Sequence, residues 1–143
     1  MEPGEWRIAP GTEADIAAVL ALWDLVVVRP SATDTGEGLA ILLRQDPGAL
    51  LIARADGDAI GSLIAAWDGW RGSFYRLAVH PKRRREGVAA SLVEAGERRL
   101  RELGARRVTA IVFPEDGEDA PALWKALGYE MQAGAGRLVR MLY

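Results

Sequence analysis

The chain has 143 residues, half of them hydrophobic and 27% charged, with 20 acidic against 18 basic side chains and a net charge of −2. That is enough chain for one domain, 1–143, with a real core, and its charge argues against bulk nucleic-acid binding, which calls for a strongly basic domain. With no cysteine and a lone histidine, His80, the sequence has no disulfide, thiolate metal site or cysteine nucleophile, and it argues against a histidine-built metal centre or triad. The opening MEPGEWRIAP has neither a basic start nor a long apolar run, and no apolar run approaches the about 20 residues of a membrane span. The expectation is a cytoplasmic protein with no membrane or nucleic-acid partner and no metal.

Trp6 to Ala9 reads as a first strand. Thr12-Glu13-Ala14-Asp15 has the form of a capping box with Asp15 in place of the usual Glu, and Ile16, Val19, Leu20, Trp23 and Val27 then repeat at helical spacing. This predicts a helix ending near Val26, broken by Arg29-Pro30-Ser31. Ser31 to Gly38 is small and polar, a loop, and Leu39 to Gln45 a second helix stopped by Asp46-Pro47-Gly48. Leu50–Ala55, Ala59–Trp67 and Ser73–His80 follow as strands joined by the turns Asp56-Gly57-Asp58 and Asp68 to Gly72, which makes an antiparallel meander.

Tyr75, Leu77 and Val79 alternate with Arg76, Ala78 and His80, the period of a strand, and Pro81 ends it. A basic loop follows, Lys82 to Arg85, and then a helix whose apolar face is Val88, Leu92, Ala95, Gly96, Leu100 and Leu103. Unpaired N–H groups at the helix start, the small residues Gly87 and Ala89 and the flanking arginines together make an anion site. Gly104 is the expected helix stop, with Arg98, Arg99 and Arg101 where cations suit the dipole. Val108–Phe113 is a further strand, parallel to Ser73–His80 because a helix intervenes. Beyond an acidic loop, Pro114 to Asp119, the pattern predicts a short helix Pro121–Leu127 and two closing strands, Tyr129–Gln132 and Leu138–Leu142.

Val79-His80-Pro81, Arg84-x-x-Gly87-x-Ala89 and Leu123-Trp124-Lys125-Ala126-Leu127-Gly128-Tyr129 carry a resemblance. In this order they resemble the GCN5-related N-acetyltransferases (GNAT), whose acetyl-CoA signature is (Gln or Arg)-x-x-Gly-x-(Gly or Ala) and whose later segment reads Leu-Tyr-x-x-Leu-Gly-Phe/Tyr. Arg29-Pro30, Asp68-Gly69-x-Arg71-Gly72, Tyr75 and Pro114-Glu115-Asp116 are similar to the small bacterial branch typified by YpeA. The resemblance covers essentially the whole chain. It implies an α/β fold with a mixed, splayed sheet of six to seven strands flanked by about four helices.

The resemblance further implies acetyl transfer from acetyl-CoA to a primary amine by direct attack, the amine being a small molecule or a peptide. It places the cofactor on Leu77, Ala78, Val79, Arg84, Arg85, Glu86, Gly87, Val88, Ala89, Ala90 and Trp124. Pantetheine would pair with the main chain of Leu77 to Val79, and Val108–Phe113 would diverge to open a slot for the thioester. Two positions depart from the family pattern: Trp124 stands where a proton-donating Tyr is common, and Gly117 where an Asn is common. Tyr75 is the substitute acid, Glu115 and Asp116 the candidate bases, and Arg29, Asp68 and Arg71 the substrate rim. His80 is read as structural, and Asp68 has a competing reading as a turn residue. A non-catalytic CoA-binding module is the alternative to an enzyme, and the resemblance allows a homodimer.

Overall fold

The structure, a computed structural model, describes residues 5–26, 30–113 and 119–142. It divides into two compact units, Met1–Ile111 and Val112–Tyr143. The first holds β1 (Arg7–Pro10), α1 (Ile16–Val26), α2 (Gly36–Gln45), β2 (Leu50–Ala55), β3 (Asp58–Trp67), β4 (Gly72–Val79), α3 (Val88–Leu103) and β5 (Val108–Ala110). The strands form one sheet in the order β1-β2-β3-β4-β5, antiparallel except for the β4–β5 pair. The meander and the parallel crossover strand are thus as the sequence predicts.

Helices cover both faces of this sheet. On one side Ile16, Val19, Leu22 and Trp23 of α1 and Leu39 and Leu43 of α2 pack on Leu50, Ile52, Ile64 and Ala78. On the other, α3 buries Val88, Leu92, Val93, Gly96 and Leu100. Leu103, expected on that apolar face, is exposed, and Val93 is buried instead. Burial on both faces explains the near-continuous apolar run of β3, where Ile60 to Ala65 is buried without a break. The N-terminus of α1 carries the predicted reciprocal cap in part: the Asp15 carboxylate accepts the Thr12 N–H at 2.8 Å and the Asp15 N–H donates to the Thr12 carbonyl at 2.9 Å. The turn they form is a short 3-10 segment, Glu13–Asp15, ahead of α1.

The arginines near the end of α3 do more than suit its dipole. Arg99 donates through Nη1 to the Ala65 carbonyl at 2.6 Å and through Nη2 to Asp46 Oδ1, while Asp46 Oδ2 accepts the Trp67 N–H at 2.8 Å. One guanidinium thereby ties α3 to β3 and to the loop after α2.

The second unit contains α4 (Ala120–Ala126), which ends in a cap at Gly128. Here the expected sheet is corrected. Tyr129–Gln132 and Leu138–Leu142 form no strand, and the sheet among the described residues has five strands rather than six to seven. Alternating residues state a preference for extended backbone, but a strand exists only against a partner edge. The expected strand Val108–Phe113 is likewise shorter, with ladder pairing confined to Val108–Ala110.

Candidate functional site

The end of β4, the following loop and the start of α3 are built by local interactions. His80 stops the strand, and its Nδ1 accepts the Lys82 N–H at 3.1 Å, capping a 3-10 turn over Pro81–Arg83. The histidine is structural, as expected. Glu86 folds back on Arg83, with Nε to Oε2 at 3.0 Å. Arg85 and Gly87 both adopt left-handed backbone, at φ 64° and 87°. No side chain caps α3 at Gly87, and a Cβ built there would meet nothing within 4 Å. The result is a 16-residue helix with an open N-terminal mouth, bordered by exposed Lys82, Arg84 and Arg85. Uncompensated N–H groups, the helix dipole and local positive charge suit an anion such as a phosphate. Val88 cannot offer its side chain, which is buried against Gly61; only its main chain faces the mouth. Ala89 and Ala90 are half-buried on the first turn.

Above this mouth β4 loses its neighbour. The β4–β5 ladder pairs Gly72 with Val108, Ser73 with Thr109 and Phe74 with Ala110, and stops. From Tyr75 to Val79 the main chain has no strand partner on that side among the described residues. Those free N–H and C=O groups form a slot edge able to pair with an extended ligand. Tyr75, the first residue past the divergence, is 46% exposed, so it is not a packed sheet tyrosine. Leu77 and Val79 are half-buried, and Ala78 is in the core beside α1, so it too can contribute only main chain.

The strand alternation expected from Tyr75 to His80 is interrupted. Ser62 pairs with Ala78 and Ile64 with Tyr75, so two steps of β3 oppose three of β4. This bulge places Tyr75 and Ala78 on the α1–α2 face, whereas strict alternation puts them on opposite faces. Arg76 sits in it at φ 55°. No local sequence signal marks the bulge, since glycine is the usual occupant of such a position.

The turn between β3 and β4 lies at the other end of the strand, about 24 Å from Val79 at roughly 3.4 Å per residue. Asp68 Oδ1 accepts the Trp70 and Arg71 N–H groups at 2.8 and 2.7 Å, and these bonds, Arg71's first, hold its carboxyl below the usual range. Arg71 lies over the Trp70 ring, 4.0 Å from its centroid. Asp68 therefore has a turn-forming role in this structure. In the second unit, Trp124 meets the Tyr129 ring edge-on at 5.0 Å, and the Tyr129 N–H donates to the Trp124 carbonyl at 3.0 Å. Arg29, Glu115, Asp116 and Gly117 lie outside the described residues. Among the described residues no group of three or more His, Cys, Asp or Glu is placed to hold a metal, and no helix is long and apolar enough to cross a membrane.

The fold is shared with solved structures. Ard1 from Thermoplasma volcanium superimposes with a TM-score of 0.79 at 21% identity, over 90% of this chain and 84% of that one. AAC(6')-Iy, solved in complex with the bisubstrate analogue CoA-S-monomethyl-acetylneamine, gives 0.74 at 22% identity, over 96% and 99%. These likenesses define the fold, a mixed sheet flanked by helices. In sequence, an acetyltransferase of Photorhabdus laumondii and one of Pectobacterium atrosepticum are each 32% identical over 116 residues, which is 81% of this chain and 80% and 82% of theirs. The family model described as acetyltransferase (GNAT) family matches residues 19–129, and the chain belongs to that family.

Proposed function

We propose that the protein is an acetyl-CoA-dependent N-acetyltransferase acting on a primary amine by direct attack, within one domain spanning 1–143. The observation that carries this is the succession of two binding elements along the chain. The unpaired β4 edge from Tyr75 to Val79 leads through the basic loop after it to the uncapped mouth of α3. An extended arm ending in a pyrophosphate fits that sequence of elements: a ladder edge first, then N–H groups and arginines. The open space at Gly87 leaves room for the phosphates.

When bound, acetyl-CoA supplies an acetyl group already activated as a thioester, so no protein nucleophile is required. Arg84, Arg85 and the first-turn N–H groups of α3, from Val88 to Ala90, hold the pyrophosphate by charge and hydrogen bonding. The main chain of Leu77 to Val79 orients the arm, and an N–H at the bulge polarises the acyl carbonyl as in an oxyanion hole. Tyr75, the exposed residue just past the β4–β5 divergence, is the proton donor to the departing sulfur in this reading. Glu115 and Asp116, which follow β5 in sequence, take the proton lost by the amine, directly or through water. Arg29, Asp68 and Arg71 belong to the acceptor rim in this reading, and Trp124 to the residues that the family resemblance assigns to the cofactor. The acceptor is a small-molecule or peptide amine, the setting is the cytoplasm, and a homodimer is the assembly to test for.

Acetyl-CoA should raise the melting temperature, because a ligand of the native state stabilises it by RT ln(1 + [L]/Kd). Thiol release across a panel of amines should then identify turnover. No thermal shift at millimolar acetyl-CoA overturns the reading, and binding without turnover on any amine favours a non-catalytic CoA module instead.

A further inference from the structure

The bulge in β4 is held by side chains that lie outside the slot. Arg76 occupies its left-handed position at φ 55°, where an L-residue is strained and glycine would not be. An arginine there is explained by what its side chain does. Its guanidinium forks onto Asp34, Nε to Oδ1 at 2.9 Å and Nη2 to Oδ2 at 2.6 Å. Asp34 Oδ2 also accepts the Ser31 N–H at 2.7 Å, so the carboxylate is fixed to its own loop ahead of α2. The pair is largely buried, with 22% and 12% of the two side chains exposed.

A second tether comes from the core between α1 and the sheet. The Arg76 carbonyl, displaced from the regular ladder, accepts the Ser62 hydroxyl at 3.0 Å. Ser62 Oγ in turn accepts the Trp23 indole N–H at 2.8 Å. Ser62 is fully buried, the one polar side chain in the core among the described residues, and Trp23 is 3% exposed. A hydrogen-bond relay from α1 through the buried Ser62 of β3 therefore ends on the carbonyl of the bulge residue. Side-chain fork and carbonyl tether act on the same residue, and that residue lies one position past Tyr75, within the stretch where β5 has left.

We propose that Arg76 and Ser62, backed by Asp34 and Trp23, are positioning residues that aim the main-chain N–H of the bulge into the slot at the acyl carbonyl. None of the four touches the ligand. The proposal rests on the acetyltransferase reading above. Any rotation of the Arg76–Leu77 peptide moves that N–H off its target, and small misalignments weaken a hydrogen bond steeply.

The test uses [1-13C]acetyl-CoA bound to the full chain, with the carbonyl carbon resonance as the report of polarisation. Arg76→Gly keeps a backbone that tolerates the left-handed conformation but removes the fork. Asp34→Asn keeps the shape of the partner and removes its charge, so one of the two should fold if the other does not. Both variants should bind the probe with affinity close to wild type, because the α3 mouth is untouched. The carbonyl shift on binding should fall to half or less, and thiol release with the best amine should fall on the order of 10-fold or more, as expected when an oxyanion donor is misaligned. Ser62→Ala should do the same, and Arg76→Lys, which cannot fork, should not restore the shift. Wild-type binding with an unchanged carbonyl shift in Arg76→Gly and Asp34→Asn overturns this inference alone. Wild-type protein that does not bind the probe overturns the acetyltransferase reading and this inference with it.

Discussion

Gly96 lies against the edge of the Phe74 ring: a Cβ added at 96 would stand 2.7 Å from Phe74 Cε1 and 3.0 Å from Leu63 Cδ2. This contact sets how close α3 comes to β3 and β4, and hence where the open N-terminus of the helix stands relative to the slot edge. Gly61 makes the matching approach one turn nearer the mouth, against Val88 and Leu92.

Gly96→Ala should therefore lift α3 off the sheet. Overpacking of this kind costs about 1–3 kcal/mol, and the melting temperature should drop by several degrees at roughly 4 °C per kcal/mol for a chain of this length. Chemical denaturation of the variant checks it; unchanged stability would mean the helix can shift freely.

Gly87→Glu should leave the fold intact, since a side chain at 87 meets open space, although the left-handed φ costs about 1 kcal/mol. It puts a negative charge at the mouth of α3, and the thermal stabilisation by acetyl-CoA should disappear. A folded variant that still shows the full shift would place the anion elsewhere.

Tyr75→Phe removes a hydroxyl from an exposed ring and should change stability by less than about 0.5 kcal/mol. If Tyr75 donates a proton to the leaving sulfur, the turnover number should fall on the order of 100-fold with little change in acetyl-CoA affinity. Steady-state kinetics with the best amine separates the two quantities, and an unchanged rate assigns the proton to water.

Arg99→Met removes the cation that bridges Ala65, Pro47 and Asp46. With both side chains 15% exposed, the loss leaves Asp46 a poorly solvated, unpaired carboxylate, and stability should fall by about 3 kcal/mol. The double variant with Asp46→Leu should recover part of that loss, which equilibrium unfolding can measure.

Acid should weaken the N-terminal cap. The Thr12 N–H first, and then Arg54, hold the Asp15 carboxyl below its ordinary value of 3.8, against the opposing effect of burial. A carboxylate whose folded pKa is depressed stabilises the protein above the unfolded value, and that stabilisation is lost as pH falls through the folded one. Asp15→Asn should thus be less stable than wild type at pH 7, with the difference shrinking below pH 3.8. A difference that stays constant with pH would assign the effect to shape rather than charge.

Much of the fold was legible because its signals are local. The helical stripe of α1, the turn at Asp56-Gly57 and the strand-loop-helix around Gly87 each follow from spacing within a dozen residues. The closing strands were not, because Tyr129–Gln132 and Leu138–Leu142 have the alternation of strands but no partner edge. Within the site, the small Gly87 at the helix start and the arginines beside it were readable, whereas its left-handed backbone came from the structure. Arg76, Ser62 and Asp34 were not, since their partners are 14 and 42 residues apart in sequence. Trp23 gave a faint clue: a core indole needs an acceptor for its N–H.

The sequence by itself determined where the strand ends and α3 begins, with a glycine at the helix start and arginines beside it, since these are all short-range features. Only the tertiary structure decided where β4 parts from β5, which residue carries the bulge and what clamps it. Those depend on side chains that meet across the sheet after the chain has folded, through hydrogen bonds that no local pattern encodes.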